Sequence, residues 1–153
     1  MTEGVSVERV IAAPAAEVWA LVADVTRMCE FSPENAGCEW IKGSTGPVVG
    51  ARFRGTNQNG KKTWKTVCTV VEAEPGTAFA FEVTAGPMRV ARWAYRFDAA
   101  DAATCRVTET WTDQRGNFVK VMGGPVSGVK DRAAHNREGM ETTLARLAAV
   151  AEG

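Results

Sequence analysis

Histidine is almost absent: His135 is the only imidazole in 153 residues, and the four cysteines, Cys29, Cys38, Cys68 and Cys105, form no CxxC pair. Clustered Cys/His ligand sets cannot be assembled from so little, and neither a structural metal nor a cofactor is expected. Cysteines scattered in this way read as small buried hydrophobes of a reducing compartment. No sign of charge dominates either. Eighteen basic and eighteen acidic residues cancel without a long run of one kind, which removes the electrostatic footprint of a nucleic-acid or anionic-membrane binder. Apolar runs are short: none approaches the roughly 20 residues of a membrane span, and the N-terminal residues show no signal-peptide segment. Phosphate loops, nucleophile–base motifs and cofactor fingerprints are missing too. The expectation is a cytoplasmic protein, monomer or homodimer, whose partner is a hydrophobic small molecule rather than nucleic acid or an integral membrane.

What the sequence does contain fits one domain, since a chain of this length buries roughly 70% of the surface its unfolded form exposes. Val5 to Ile11 alternates and is β-branched, predicting a strand. Pro14 then opens AAEVWALVADV, with Val18, Leu21, Val22 and Val25 at helical spacing. A second short helical turn is predicted over Thr26 to Phe31, stopped by Ser32-Pro33, and a further strand over Cys38 to Lys42. From Ala51 onward, β-rich runs alternate with turn signals at Asn59-Gly60, Glu74 to Thr77, Ala85 to Pro87 and Asp98 to Ala103. Five consecutive strands follow from that pattern. Pro125 to Ala151 returns to helical spacing over about 40 Å.

Residues facing each other across an antiparallel pair share a face of the sheet. A turn centred on Pro75-Gly76 pairs Val70 with Phe81 and Cys68 with Val83, gathering Trp64, Thr66, Cys68, Val70, Phe79, Phe81 and Val83 on one apolar side. A turn centred on Asp101 pairs Tyr95 with Val107, Trp93 with Glu109, Ala91 with Trp111 and Arg89 with Asp113, in a register free to slip by two. Either register sends Arg92, Arg96, Arg106, Thr108, Thr110 and Thr112 outward, as water selects. Glu109 is the inward exception, and a carboxylate there must be paired, sit near an opening, or have a raised pKa. On the C-terminal helix, Val129, Ala133, Met140, Thr143, Leu144, Leu147 and Val150 form an apolar stripe that also carries Arg132 and, at its centre, Asn136. An unsatisfied amide there costs about 1 to 3 kcal/mol, so a partner is required. Gly139 beside it signals a close approach.

The order strand, two short helices, antiparallel meander, long C-terminal helix resembles the helix-grip fold of the Bet v 1-like superfamily, also called START-like or SRPBCC. The opening IAAPAAEVWALVADVTRMCEFSPE, the WAYRF run from Trp93 to Phe97, CRVTETW and the closing HNREGMETTLARL look like its polyketide cyclase/dehydrase branch. The resemblance covers nearly the whole chain. It implies an α+β domain over residues 1–153, with a curved antiparallel sheet wrapped around the C-terminal helix and a cavity between them. Members of the family bind lipids, sterols, polyketides or flavonoids, and a minority carry out cyclisation or dehydration. No universal catalytic set comes with the fold, so function has to be argued from the site.

Three functions remain open. In the first, a carrier or sequestering module holds an apolar or aromatic molecule, lipid or polyketide-like. The expected contacts are Trp64, Cys68, Phe81, Trp93, Tyr95 and Trp111 on the sheet and Arg132, Asn136 and Met140 on the helix. In the second, a cyclase or dehydratase uses Glu109, Asp113 or His135 for proton transfer, with Asn136 or Tyr95 stabilising an enolate. Each acid also has a structural reading, Asp113 with Arg89 and Glu109 with Arg132, and His135 has a surface one on the helix flank. The third is an interaction protein without ligand. The glycine-rich segment from Gly116 to Gly128 is read as either linker or lid.

Overall fold

The computed structural model describes residues 4–116, 128, 129 and 131–153. Its elements run in the order β1 (Gly4–Ile11), α1 (Ala15–Ala23), a 3-10 turn (Val25–Arg27), α2 (Met28–Phe31), β2 (Asn35–Ile41), β3 (Arg52–Asn59), β4 (Lys62–Glu74), β5 (Ala78–Ala85), β6 (Met88–Asp101), β7 (Thr104–Asp113) and α3 (Arg132–Glu152). The seven strands form one curved antiparallel sheet in the order β1-β7-β6-β5-β4-β3-β2. Strands and breaks fall where alternation and turn residues predict them. Pro14, in extended conformation, precedes the first turn of α1, and the Asp24 side chain accepts a hydrogen bond from the Thr26 amide at the 3-10 turn.

Val70 pairs with Phe81 and Cys68 with Val83 as expected, but by another route: the turn is centred on Gly76, with Glu74 opposite Ala78, and a bulge in β4 restores the register. The bulge leaves Val71 as an extra residue, so it has no partner on the outer face. The β6–β7 register is corrected by two residues: Tyr95 faces Glu109, Trp93 faces Trp111, and Ala91 faces Asp113. The cause is a turn centred on Ala102-Ala103, where the Asp101 carboxylate accepts from the Ala103 amide at 2.8 Å, together with a bulge at Ala100 that takes one residue back out of the shift. Because the slip is even, every side chain keeps its face.

α3 begins at Arg132, later than the predicted Pro125, because the Asp131 carboxylate caps it by accepting from the Ala134 amide. Gly128 and Val129 are not helical, so Val129 is not part of the stripe, and 125–127 lie outside the described residues. The buried stripe is Asn136, Met140, Thr143, Leu144, Leu147 and Ala148, while Val150, predicted inward, is exposed. Leu144, Leu147 and Ala148 pack into the main core with Ile11, Val18, Phe79, Phe97 and Val107. The Trp19 indole ties α1 to the sheet by donating to the Ala78 carbonyl at 2.8 Å. The other half of α3, from Arg132 to Met140, meets the sheet across an open space.

Leu147→Ala should cost about 2 to 5 kcal/mol, because Leu147 is fully buried in that core. Asp131→Ala should cost only about 1 kcal/mol, the worth of a helix cap. Urea unfolding of the two variants checks both the values and their order.

Candidate functional site

The space between the first half of α3 and the sheet is a cavity of about 390 Å³, within the range of roughly 300–1,000 Å³ typical of small-molecule pockets. Its walls are mostly apolar. Trp64, Cys68, Phe81, Trp93, Tyr95 and Trp111 reach it from four strands, and Arg132, Asn136 and Met140 from the helix. All nine expected contact residues therefore line one space. Phe53 closes one side through edge-on ring contacts with Trp40 and Phe81. Gly139 leaves room at the opening: a Cβ there would touch only Pro33, at 3.7 Å.

Glu109 is the charged-type residue deepest in the wall, 2% exposed. The Tyr95 hydroxyl donates to its Oε2 at 2.8 Å, a contact made by the observed register, since Tyr95 is now the residue opposite. Its Oε1 is closed to water and has no hydrogen-bond partner. Burial pushes the Glu109 carboxyl up to about 8, and the Tyr95 hydrogen bond lowers it only in part. Tyr95 is itself raised, first by burial and then by the neighbouring carboxyl. Among the described residues no cation is paired with Glu109. Arg132, one expected partner, bonds Glu34 at 2.8 Å instead.

The opening of the cavity is a different electrostatic setting. Glu34, on the loop between α2 and β2, receives both Arg132 and His135, each at 2.8 Å, and so fastens that loop to the start of α3. Arg132 also donates to the Asn136 Oδ1 at 3.3 Å and lies 5.9 Å from the Trp64 ring centroid. The amide at the centre of the stripe thus finds its acceptor's partner one turn away on its own helix.

Asp113 is not part of the cavity wall. It lies four residues beyond Glu109, about 13 Å along the strand, and is held by Arg115 through two hydrogen bonds of 2.9 Å. Arg89, its expected partner, is displaced by the register and lies 3.6 Å from Glu82. His135 does reach the cavity, at its rim and half exposed. Glu34, Asn35, Cys38 and Arg115 also line it and were not anticipated. The only available signal was the position of Glu34 directly after the Ser32-Pro33 break. Burial raises the Cys38 thiol to about 11, which suits a wall residue and not a nucleophile. Most of the proposed lid, 117–127, lies outside the described residues. Among the described residues there is no cluster of three or more potential metal ligands and no helix long and apolar enough to cross a membrane.

Comparison with known proteins covers the same span. Residues 2–152 match the family model described as polyketide cyclase / dehydrase and lipid transport. A polyketide-cyclase-like protein of Corynebacterium glutamicum, solved in solution, is 31% identical, with a TM-score of 0.67 over 99% of this chain and 93% of that one. An aromatase/cyclase of a Streptomyces species is similar in fold, at 18% identity and a TM-score of 0.70 over 99% and 94% of the two chains. A major latex-like protein of Panax ginseng superposes with a TM-score of 0.73 at 14% identity, over 98% and 97%. An uncharacterised protein of Mycobacterium tuberculosis is 28% identical over 90% of this chain, which spans 59% of the length of that relative.

Glu109 ionises near 4.5 when freely hydrated and near 8 in the fold, so the folded chain holds a proton that the unfolded chain has lost. Its contribution to stability is complete below about pH 4.5 and is lost as pH rises through 8, by up to roughly 5 kcal/mol. Glu109→Gln should flatten that decline and be the more stable protein at pH 8. Urea unfolding of both proteins between pH 5 and 9 tests this, and parallel curves would contradict it.

Proposed function

The chain belongs to the polyketide cyclase / dehydrase and lipid transport family, and from that premise we propose that it holds a hydrophobic or aromatic small molecule, lipid or polyketide-like, between the sheet and α3. The observation that carries this is the cavity of about 390 Å³, walled by Trp64, Trp93, Trp111, Phe81 and Met140 rather than filled by them. Interiors are ordinarily close-packed, and an apolar void of this size costs stability that a bound molecule restores. Asn136, Tyr95 and Glu109 are among the polar groups that line the cavity and could orient the molecule. A protein acting only through its surface has no use for such a space, so the interaction-protein reading is the weaker one.

A second reading, acid–base chemistry on the bound molecule, is favoured by Glu109 alone. A carboxyl group raised to about 8 at the wall of a mostly apolar cavity is suited to donating a proton to a developing enolate, with Tyr95 beside it. Asp113 has no part in this, since it faces Arg115 and not the cavity. His135 would serve only at the rim, where Glu34 already holds it.

Nile red, whose emission strengthens in apolar surroundings, should bind the purified protein, and Gly139→Leu should weaken that binding at least tenfold by placing a side chain in the opening. The same change removes a helical glycine worth about 1 kcal/mol against alanine, so the melting temperature should hold or rise. Absence of dye binding to the unmodified protein, or equal binding by the variant, would overturn the cavity reading.

A further inference from the structure

We propose that Glu109 binds its ligand as a neutral carboxylic acid, donating from Oε1 to a hydrogen-free acceptor oxygen, a carbonyl or ether, on an otherwise apolar and uncharged molecule. This rests on the small-molecule reading above and adds the ligand's polar chemistry to it. The geometry begins with a polar atom that lacks a partner. Glu109 is almost fully buried, lines the cavity, and leaves Oε1 without a hydrogen bond. Buried oxygens of this kind are rare because the missing bond costs free energy. Oε2 already accepts from the Tyr95 hydroxyl, so the acid proton belongs on Oε1. The last torsion of a glutamate is soft, so a rotation can present Oε1 to the cavity that Glu109 lines.

The neutral form is set by what surrounds it. β1 places Val7 opposite Glu109. β6 supplies Tyr95, and the thiols of Cys68 on β4 and Cys38 on β2 are both raised by burial. Among the described residues the basic side chains at the cavity are engaged elsewhere: Arg115 by Asp113, and Arg132 and the His135 imidazole by Glu34. Arg9, Arg137 and Glu141 line a separate hollow between β1 and α3. With no counter-charge for it among the described residues, burial favours the protonated carboxyl up to about pH 8. Among those residues a carboxylate or phosphate on the ligand would find no unpaired cation, and a ligand hydroxyl would have to give up its own donor role. A carbonyl or ether oxygen meets the proton without either loss.

A matched pair of probes separates the outcomes. 2-Acetylnaphthalene carries a ketone, 2-ethylnaphthalene has nearly the same shape and no acceptor, and quenching of the cavity tryptophans reports both. In the unmodified protein the ratio of ketone to hydrocarbon affinity should fall at least fivefold between pH 6.5 and 9.5, centred near 8. In Glu109→Gln, whose amide donates at any pH, the ratio should stay constant, which also separates Glu109 from His135. Tyr95→Phe removes the bond that lowers the carboxyl, so the midpoint should move to higher pH; this holds the test open should Glu109→Gln fold poorly. A constant ratio in the unmodified protein, or an unchanged fall in Glu109→Gln, would overturn the role of Glu109 while leaving a binding cavity in place. Failure of both probes to bind at every pH would overturn the cavity reading itself.

Discussion

Sheet and helix cannot close on each other along the whole of α3, because its inward stripe changes character halfway. Leu144, Leu147 and Ala148 bring enough apolar volume to fill the space above Phe79, Phe97 and Val107. One to three turns earlier the same stripe offers Asn136, Gly139, Met140 and Thr143, and Thr143 turns its hydroxyl back to the Gly139 carbonyl. Small and polar side chains there cannot replace the missing volume, and the sheet cannot move in to compensate, since its other end is fixed on the leucines. The wide tryptophans of the sheet are thereby left with their faces uncovered on one side. Cavity and core are two consequences of one helix held at one angle.

Polar groups are sorted by depth in a way that keeps charge at the rim. Among the described residues each basic side chain lining the cavity meets a carboxylate: Arg132 and the His135 imidazole share Glu34, and Arg115 has Asp113. Glu109 has no counter-ion among them, and its hydrogen-bond partner is the neutral Tyr95 hydroxyl. Partly exposed pairs of this sort add little to stability, but they remove free charge from the approach to an apolar space. In the proposed small-molecule site, discrimination would then rest on hydrogen bonding rather than on net charge.

Most of the architecture was legible because alternation and turn residues carry it directly. The turn signal at Pro75-Gly76 led to the right pairing of Val70 with Phe81, although a turn centred on Gly76 and a bulge at Val71 produce it, and even parity survived the two-residue error at Asp101. That error still mattered, since it hid the Tyr95–Glu109 contact and suggested an Asp113–Arg89 pair in its place. A turn of alanines has no glycine or proline to mark its centre, so the sequence left the register open. The start of α3 was set by a single capping carboxylate, Asp131, which helical periodicity alone does not distinguish from other polar positions. Glu34 was out of reach for a different reason: its partners Arg132 and His135 lie about 100 positions away in the chain, and nothing local encodes a contact of that range.

The N-terminal strand bonds to a single neighbour, β7, with Val7 opposite Glu109 and Ser6 meeting Thr110. During synthesis, at about 5–20 residues per second, β1 would emerge from the ribosome on the order of 5–20 s before the strand that completes it. Its open edge, with Val5 and Ile11 unburied, is the part of the nascent chain most available to strays or chaperones. β7 and α3 both follow it by about a hundred residues. The strand that covers the edge of β1 is also the one that delivers Glu109, so the cavity has no floor until residues that distant in the chain have been laid together.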